Sequence, residues 1–356
     1  MKNFILLFFI GCMGLPVCAQ GGNYQLVWSD EFNVEGPLDE VKWHHQTQLP
    51  NGDSWYNGEI QHYTNRIENS FVSDGTLKIV AIKETFTDQG STKSHTSARL
   101  NSKFAFTYGY VEIRAKLPIG IGTWPAMWTL GQNITEPGGY WYETNGEVSW
   151  PACGEIDIME HWGSNQNYVQ SAMHTPSSFG NTVNKGGQTI ATASSAFHIY
   201  ALEWTPDRMV FSVDGVQHYT YEPSVQNADT WPFDANQYIL LNVAVLPEIL
   251  DSFTESALEI DYIRVFQDST LSVADQDLDS KIQLSPNPVI DTLSLQVAPS
   301  LIGAKAAIYS ITGQKLHTTV LQNENTSIDV STYTKGVYFF TLEIGQTSVT
   351  RRVIKR

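Results

Sequence analysis

The sequence predicts an all-β protein: a large sandwich or jelly roll followed by a small β module. Three observations carry this. Short runs of alternating polarity recur with turn signals between them, no stretch keeps a 3.6-residue apolar period over three turns, and the strands follow one another without the helices of βαβ units. In order, the runs are GTLKIVAIKE (75–84), YGYVEIRAKL (108–117), YVQSAMHT (168–175), FHIYALEWTPDRMVFSVDGVQHYTY (197–221), QYILLNVAV (237–245) and LEIDYIRVFQ (258–267). TPDR and SVDGVQ inside the fourth run are tight-turn signals, so that run should be strand, hairpin, strand, hairpin, strand. SPNPVIDTLSLQV (285–297), IYSITGQKL (308–316), IDVSTYTKGVYFFTLEIG (328–345) and VTRRVIKR (349–356) repeat the pattern in the small module.

Lys2 precedes an apolar run, and small residues follow near Ala19. This predicts a secretory signal peptide over residues 1–19; a lipoprotein signal on Cys18 is the alternative. Cys12 and Cys18 fall within it, leaving Cys153 alone and the fold resting on its core. The formal charge of −16 argues against nucleic acid or anionic membrane as partners. It is unevenly spread: residues 20–283 carry 13 Lys/Arg against 33 Asp/Glu, residues 284–356 seven against four. The polar, acidic stretch 269–283 therefore reads as a linker between a domain at 20–268 and one at 284–356. A monomer is expected.

The chemistry concentrates in GEIDIME (154–160). Glu155 and Asp157 share one strand face, but Glu160 has the wrong parity and would join the apolar side formed by Ile156 and Ile158. An unpaired charge there is costly. A β-bulge at Ile158-Met159, with Met159 the extra residue, would return Glu160 to the face of the other two. Two glutamates flanking an aspartate suit glycoside hydrolysis, which needs one carboxylate as nucleophile or base and one protonated partner. Four strand steps span about 13 Å between Cα atoms, so spacing alone does not separate retention from inversion. The sequence offers no His/Cys metal cluster, glycine-rich phosphate loop or Gly-x-Ser-x-Gly elbow. Aromatics are abundant, and although any single one is more often core than site, Trp and Tyr faces are the usual stacking surface for sugar rings.

WPACGEIDIMEHWG (150–163) resembles the active-site strand of glycoside hydrolase family sixteen, the laminarinase-like β-glucanases. VWSDEFN (27–33), WYNGEIQHYT (55–64), SARLNSK (97–103), GTWPAMWTLG (122–131), SAMHT (171–175) and IDYIRVFQ (260–267) follow the family in order, so the resemblance covers roughly residues 24–268. It implies a concanavalin-like β-jelly-roll sandwich with a concave glycan cleft and retaining chemistry. By position Glu155 is then the nucleophile, Glu160 the acid/base and Asp157 the assisting carboxylate, with no cofactor required. The bulged strand is similar to laminarinases and to galactan-cutting members rather than to bacterial lichenases.

The same resemblance makes Trp124 and Trp128 cleft-lining stackers, places His174 near the nucleophile, and matches Asn57, Glu59 and Arg99 to sugar contacts upstream of the cut. It also implies a structural calcium on the convex face, held by Glu31, Gly75 and Asp261, whose oxygens are of the hard type calcium takes. The segment 133–153 is longer and more aromatic than in the plainest members, so Tyr140, Trp141 and Tyr142 are expected to wall one end of the cleft. SPNP, the TGQ turn and KGVYF resemble the C-terminal sorting domain of the type nine secretion system, implying outer-membrane export. The expected function is a secreted endo-β-1,3-glucanase acting on laminarin-like β-glucan. Mixed-linkage β-1,3-1,4-glucan and agar- or carrageenan-type galactan are rival substrates, and a non-catalytic glycan-binding sandwich is the rival class.

Overall fold

Strand-forming runs buried on one face must pair two layers, and the computed structural model shows where they do. It describes residues 24–50, 52–268, 281–310, 314–344 and 347–356. The expected signal peptide and most of the expected linker lie outside the described residues. The described chain divides into two compact units, Tyr24–Gln267 and Asp268–Arg356.

Among the described residues the first unit holds two sheets. One runs Val216–Tyr221, Met209–Val213, His198–Trp204, Gly109–Lys116, Glu255–Asp268, Thr76–Asp88, Ser91–Ser97, Gln61–Tyr63, with Tyr24–Asp30 and Ser70–Ser73 paired at its side. The three strands expected within 197–221 are present with both hairpins. The other sheet runs Lys185–Thr189, Tyr168–His174, Glu155–His161, Thr123–Gly131, Gln237–Val245, Arg99–Phe106, Trp43–His45. The chain is an all-β jelly-roll sandwich.

Alternation explains how the second sheet serves both a core and a cleft. Met127, Ile156, Met173, Leu241 and Val243 join Ile79, Val111, Ile113, Leu202, Phe211 and Ile263 of the first sheet in one buried cluster. The intervening residues of the same strands point the other way and line a cavity of about 760 Å³.

The second unit has a core of its own, including Leu293, Leu295, Ile308, Phe340 and Leu342. Its described strands form a three-stranded sheet (Ile282–Ser285, Thr292–Val297, Asn325–Asp329) and a four-stranded one (Lys315–Val320, Lys305–Ser310, Gly336–Ile344, Thr347–Lys355).

Candidate active site

The acidic strand Glu155–His161 lies between Thr123–Gly131 and Tyr168–His174. Glu155, Asp157 and Glu160 oppose His174, Ala172 and Gln170 respectively, so six acidic-strand positions match five on the neighbour. On the other side Asp157 opposes Trp128 and Met159 opposes Met127, which leaves Ile158 as the unpaired residue. The expected bulge is present, with Ile158 rather than Met159 as the residue left out on that edge. Ile158 and Met159 both turn into the core, and the Ser171 hydroxyl donates to the Ile158 carbonyl at 2.8 Å, so the disturbed ladder leaves no orphan acceptor there. Gly154 leads into the strand at φ +74°, where a Cβ would meet the Phe233 ring at 2.7 Å. Only glycine fits both demands.

The three carboxylates therefore share one face, with Ala126, Trp128 and Trp124 beside them on the next strand and Asn242 and Ala244 beyond. One oxygen each of Glu155 and Asp157 and one ring nitrogen of His174 lie within 4.8 Å of one another. Glu155 Oε2 accepts the Trp150 indole N–H at 2.9 Å. Glu160 Oε1 accepts the Trp124 indole N–H at 3.1 Å. His174 Nε2 is 3.5 Å from Glu155 Oε1 and 3.1 Å from Asp157 Oδ2. The latter contact is off the line of a hydrogen bond, because that oxygen is buried without a hydrogen-bond partner among the described residues. His174 Nδ1 accepts the Gly180 backbone N–H at 3.0 Å, so the neutral ring carries its proton on Nε2, facing the carboxylates.

Close carboxyls in a dry cleft cannot all ionise. Burial pushes Glu160 up to about 8, and the Asp157 charge adds to that. Burial likewise raises Asp157. Glu155 is raised by burial and then by Asp157, but His174 and the Trp150 N–H oppose the shift. At Glu160 His174 and the Trp124 N–H oppose the shift likewise, so burial keeps protons in the cleft without singling out one glutamate.

The other expected residues fall as follows. Trp124 and Trp128 line the cleft, with the Trp128 N–H donated to Asn242 Oδ1 at 2.7 Å. Asn57, Glu59 and Arg99 line it further along. Arg99 is 4% exposed, holds Glu136 through two bonds of 2.9 and 3.0 Å, and lies 4.9 Å from the Trp128 ring centre. Glu59 is buried and accepts from Gln61 and from the Tyr63 hydroxyl.

Tyr140, Trp141 and Tyr142 do not wall the cleft as expected. Trp141 packs against a separate small cluster containing Leu130, Ile134 and Tyr238 and donates to the Ser102 carbonyl, Tyr140 leans edge-on against Trp141, and Tyr142 opens a short helix, Tyr142–Asn145. The residues of segment 133–153 that reach the cleft are Ile134, Thr135, Glu136, Ser149 and Trp150.

The implied calcium ligands are otherwise engaged. Both Glu31 oxygens accept from Arg264, at 2.9 and 2.7 Å, Asp261 pairs with Arg114, and Gly75 sits in a turn at φ +69°. The Glu31 and Asp261 carboxylates thus pair with guanidinium groups in this structure, and no step of the chemistry runs through an ion there.

Sequence reasoning missed Trp150, Trp162, Gln170, Asn242 and Glu136. Asn242 had a signal: it is the one polar residue within the apolar run YILLNVAV. Trp150 and Trp162 flank the acidic strand within WPACGEIDIMEHWG.

Residues 59–264 match the family model of glycosyl hydrolases family 16. The chain belongs to that family. Residues 283–356 match the secretion system C-terminal sorting domain. Among curated relatives of this family 16 chain, a beta-glucanase from Rhodothermus marinus is 37% identical over 283 residues, 74% of this chain and 93% of the relative. A glucan endo-1,3-beta-glucosidase from Cryptopygus antarcticus is 34% identical, covering 70% and 95%. Among solved structures, a LamA variant from Z. galactanivorans in complex with laminaritriose and laminaritetraose is 49% identical with TM-score 0.64, covering 69% of this chain and all of that one. The protein is a glycoside hydrolase.

Proposed function

We propose that this family 16 enzyme is a retaining endo-β-1,3-glucanase that cuts laminarin-like polymers by double displacement. The observation that carries the proposal is the bulged strand, which sets Glu155, Asp157 and Glu160 on one cleft face with an indole N–H on each glutamate. A Glu155 oxygen attacks the anomeric carbon as the glycosidic bond breaks. The leaving oxygen takes the Glu160 proton. A water then gives its proton to Glu160 and its oxygen to the anomeric carbon, and Glu155 departs as carboxylate. Asp157, buried between them, raises both glutamates whenever it carries charge, so the three carboxyls do not all ionise together.

Substrate class rests on the glucan-cutting relatives and on the neighbour that holds laminaritriose and laminaritetraose. A cleft of about 760 Å³ with tryptophans near its reacting centre suits binding of a neutral glucan chain. Catalysis in this reading requires no cofactor, and the enzyme acts as a monomer. Export through the type nine secretion system to the cell surface or beyond is supported by the sorting-domain match.

The test is incubation with laminarin, lichenan, agarose and carrageenan, with products sized. The proposal expects short oligosaccharides of mixed length from laminarin. Cleavage of galactans alone would overturn it, and faster cleavage of lichenan would move the preference to mixed-linkage glucan.

A further inference from the structure

Segment 133–153 delivers one side chain directly onto a carboxylate of the site. Trp150 donates its indole N–H to Glu155 Oε2 at 2.9 Å, and it is 40% exposed, so the fold does not need the ring for its core. Its orientation is set from a second loop. The Phe179 ring meets it edge to face, with centroids 5.3 Å apart and an interplanar angle of 82°. The neighbouring Gly180 N–H holds the His174 tautomer whose Nε2 proton faces the other Glu155 oxygen. Two loops far apart in sequence thus meet over one carboxylate.

We infer that Trp150 is a positioning residue for the Glu155 nucleophile, held in place by Phe179, and that its N–H fixes the carboxylate's orientation and favours its ionised form. This rests on the reading of Glu155 as nucleophile. The physical reason is that a hydrogen bond to the charged form of an acid stabilises that form. The bond matters twice in the reaction. Before attack it keeps the oxygen pair from rotating away from the anomeric carbon. During deglycosylation Glu155 regains its negative charge, and the N–H again meets the charge as it develops. Titratable groups facing Glu155 are Asp157 and Glu160 on its own strand and His174 on the next; none of these supplies an aligned hydrogen bond to Oε2, so among the described residues the loss of Trp150 has no substitute.

The test uses the full chain and the variants W150F, F179A and E155A. W150F keeps an aromatic face but removes the donor. It is expected to lower kcat/KM on laminarin by roughly tenfold to a hundredfold and to move the ascending limb of the pH profile up by about one unit, with melting temperature nearly unchanged. F179A leaves the N–H but frees the ring, and should show a smaller shift in the same direction. A rise in KM with an unmoved pH profile in W150F would show that Trp150 only stacks against sugar, and would overturn the inference. E155A with azide examines the underlying assignment separately: formation of an α-glycosyl azide supports Glu155 as nucleophile, and its failure to form removes that reading and the inference with it.

Discussion

Deleting Met159 asks what the bulge is for. Glu155, Asp157 and Glu160 oppose His174, Ala172 and Gln170, each two positions apart. Removing one of the two bulged residues leaves a regular strand with those same three pairs, so all three carboxylates should stay on the cleft face. What is lost is core. Met159 is 1% exposed and packs in the main cluster; losing such a side chain costs about 2–5 kcal/mol. In a domain of this size that is a fall in melting temperature of roughly 4–20 °C, at about 2–4 °C per kcal/mol. The local twist also relaxes, and a misplacement near 1 Å costs on the order of a hundredfold in rate. Laminarin hydrolysis by the deletion variant should therefore fall by about ten- to a hundredfold and remain well above that of E160Q. A folded deletion variant as inactive as E160Q would refute the reasoning, because the face would then depend on the bulge itself. An unchanged melting temperature would refute the core half of it.

Three further outcomes follow from the same geometry. Breaking the buried Arg99–Glu136 pair with E136Q strands a guanidinium and should cost about 3–5 kcal/mol, read as a melting shift of roughly 6–20 °C that the double variant R99M/E136L largely recovers; a shift under about 2 °C in E136Q would contradict it. W128A removes a cleft indole and the ring beside Arg99, and is expected to raise KM for laminarin on the order of tenfold, ~1.4 kcal/mol, with kcat changed less; an unchanged KM counts against the cleft assignment. Glu160 titrates near 8 in the fold against 4.5 in an open chain, so the native state holds the extra proton between those values. Its stabilisation is fully present below about 4.5 and is lost as pH rises through about 8. Melts of wild type should accordingly decline more steeply than those of E160Q across that window, and parallel curves would exclude the raised value.

The fold was largely legible because its signals are local. Alternation marked strands such as Gly109–Lys116 and Gln237–Val245, and two turn signals split 197–221 correctly. The parity conflict at Glu160 even located the bulge, since an apolar face does not tolerate a lone carboxylate. What parity could not say is which of Ile158 and Met159 drops out of the ladder, because both face the core and either solves the conflict. Long-range pairings were illegible for a different reason. Arg99 with Glu136, and Trp150 with Phe179, join residues distant in sequence that meet only once the strands of the second sheet have paired. The aromatic cluster at 140–142 misled because its composition suits a sugar platform, while Ser102 and the small apolar cluster around Tyr238 gave Trp141 a partner elsewhere. The arginine partners of Glu31 and Asp261 were equally out of reach of local patterning.

The central claim is that Glu155 and Glu160, on one glucan-binding face, act as nucleophile and proton donor of a double displacement. Proton NMR of laminarin during the first minutes of hydrolysis tests it most directly. Oligosaccharides whose new reducing ends appear first as the β-anomer, turning to the equilibrium mixture only later, are the predicted result. New ends that appear first as the α-anomer would mean direct attack by water, and would contradict the account.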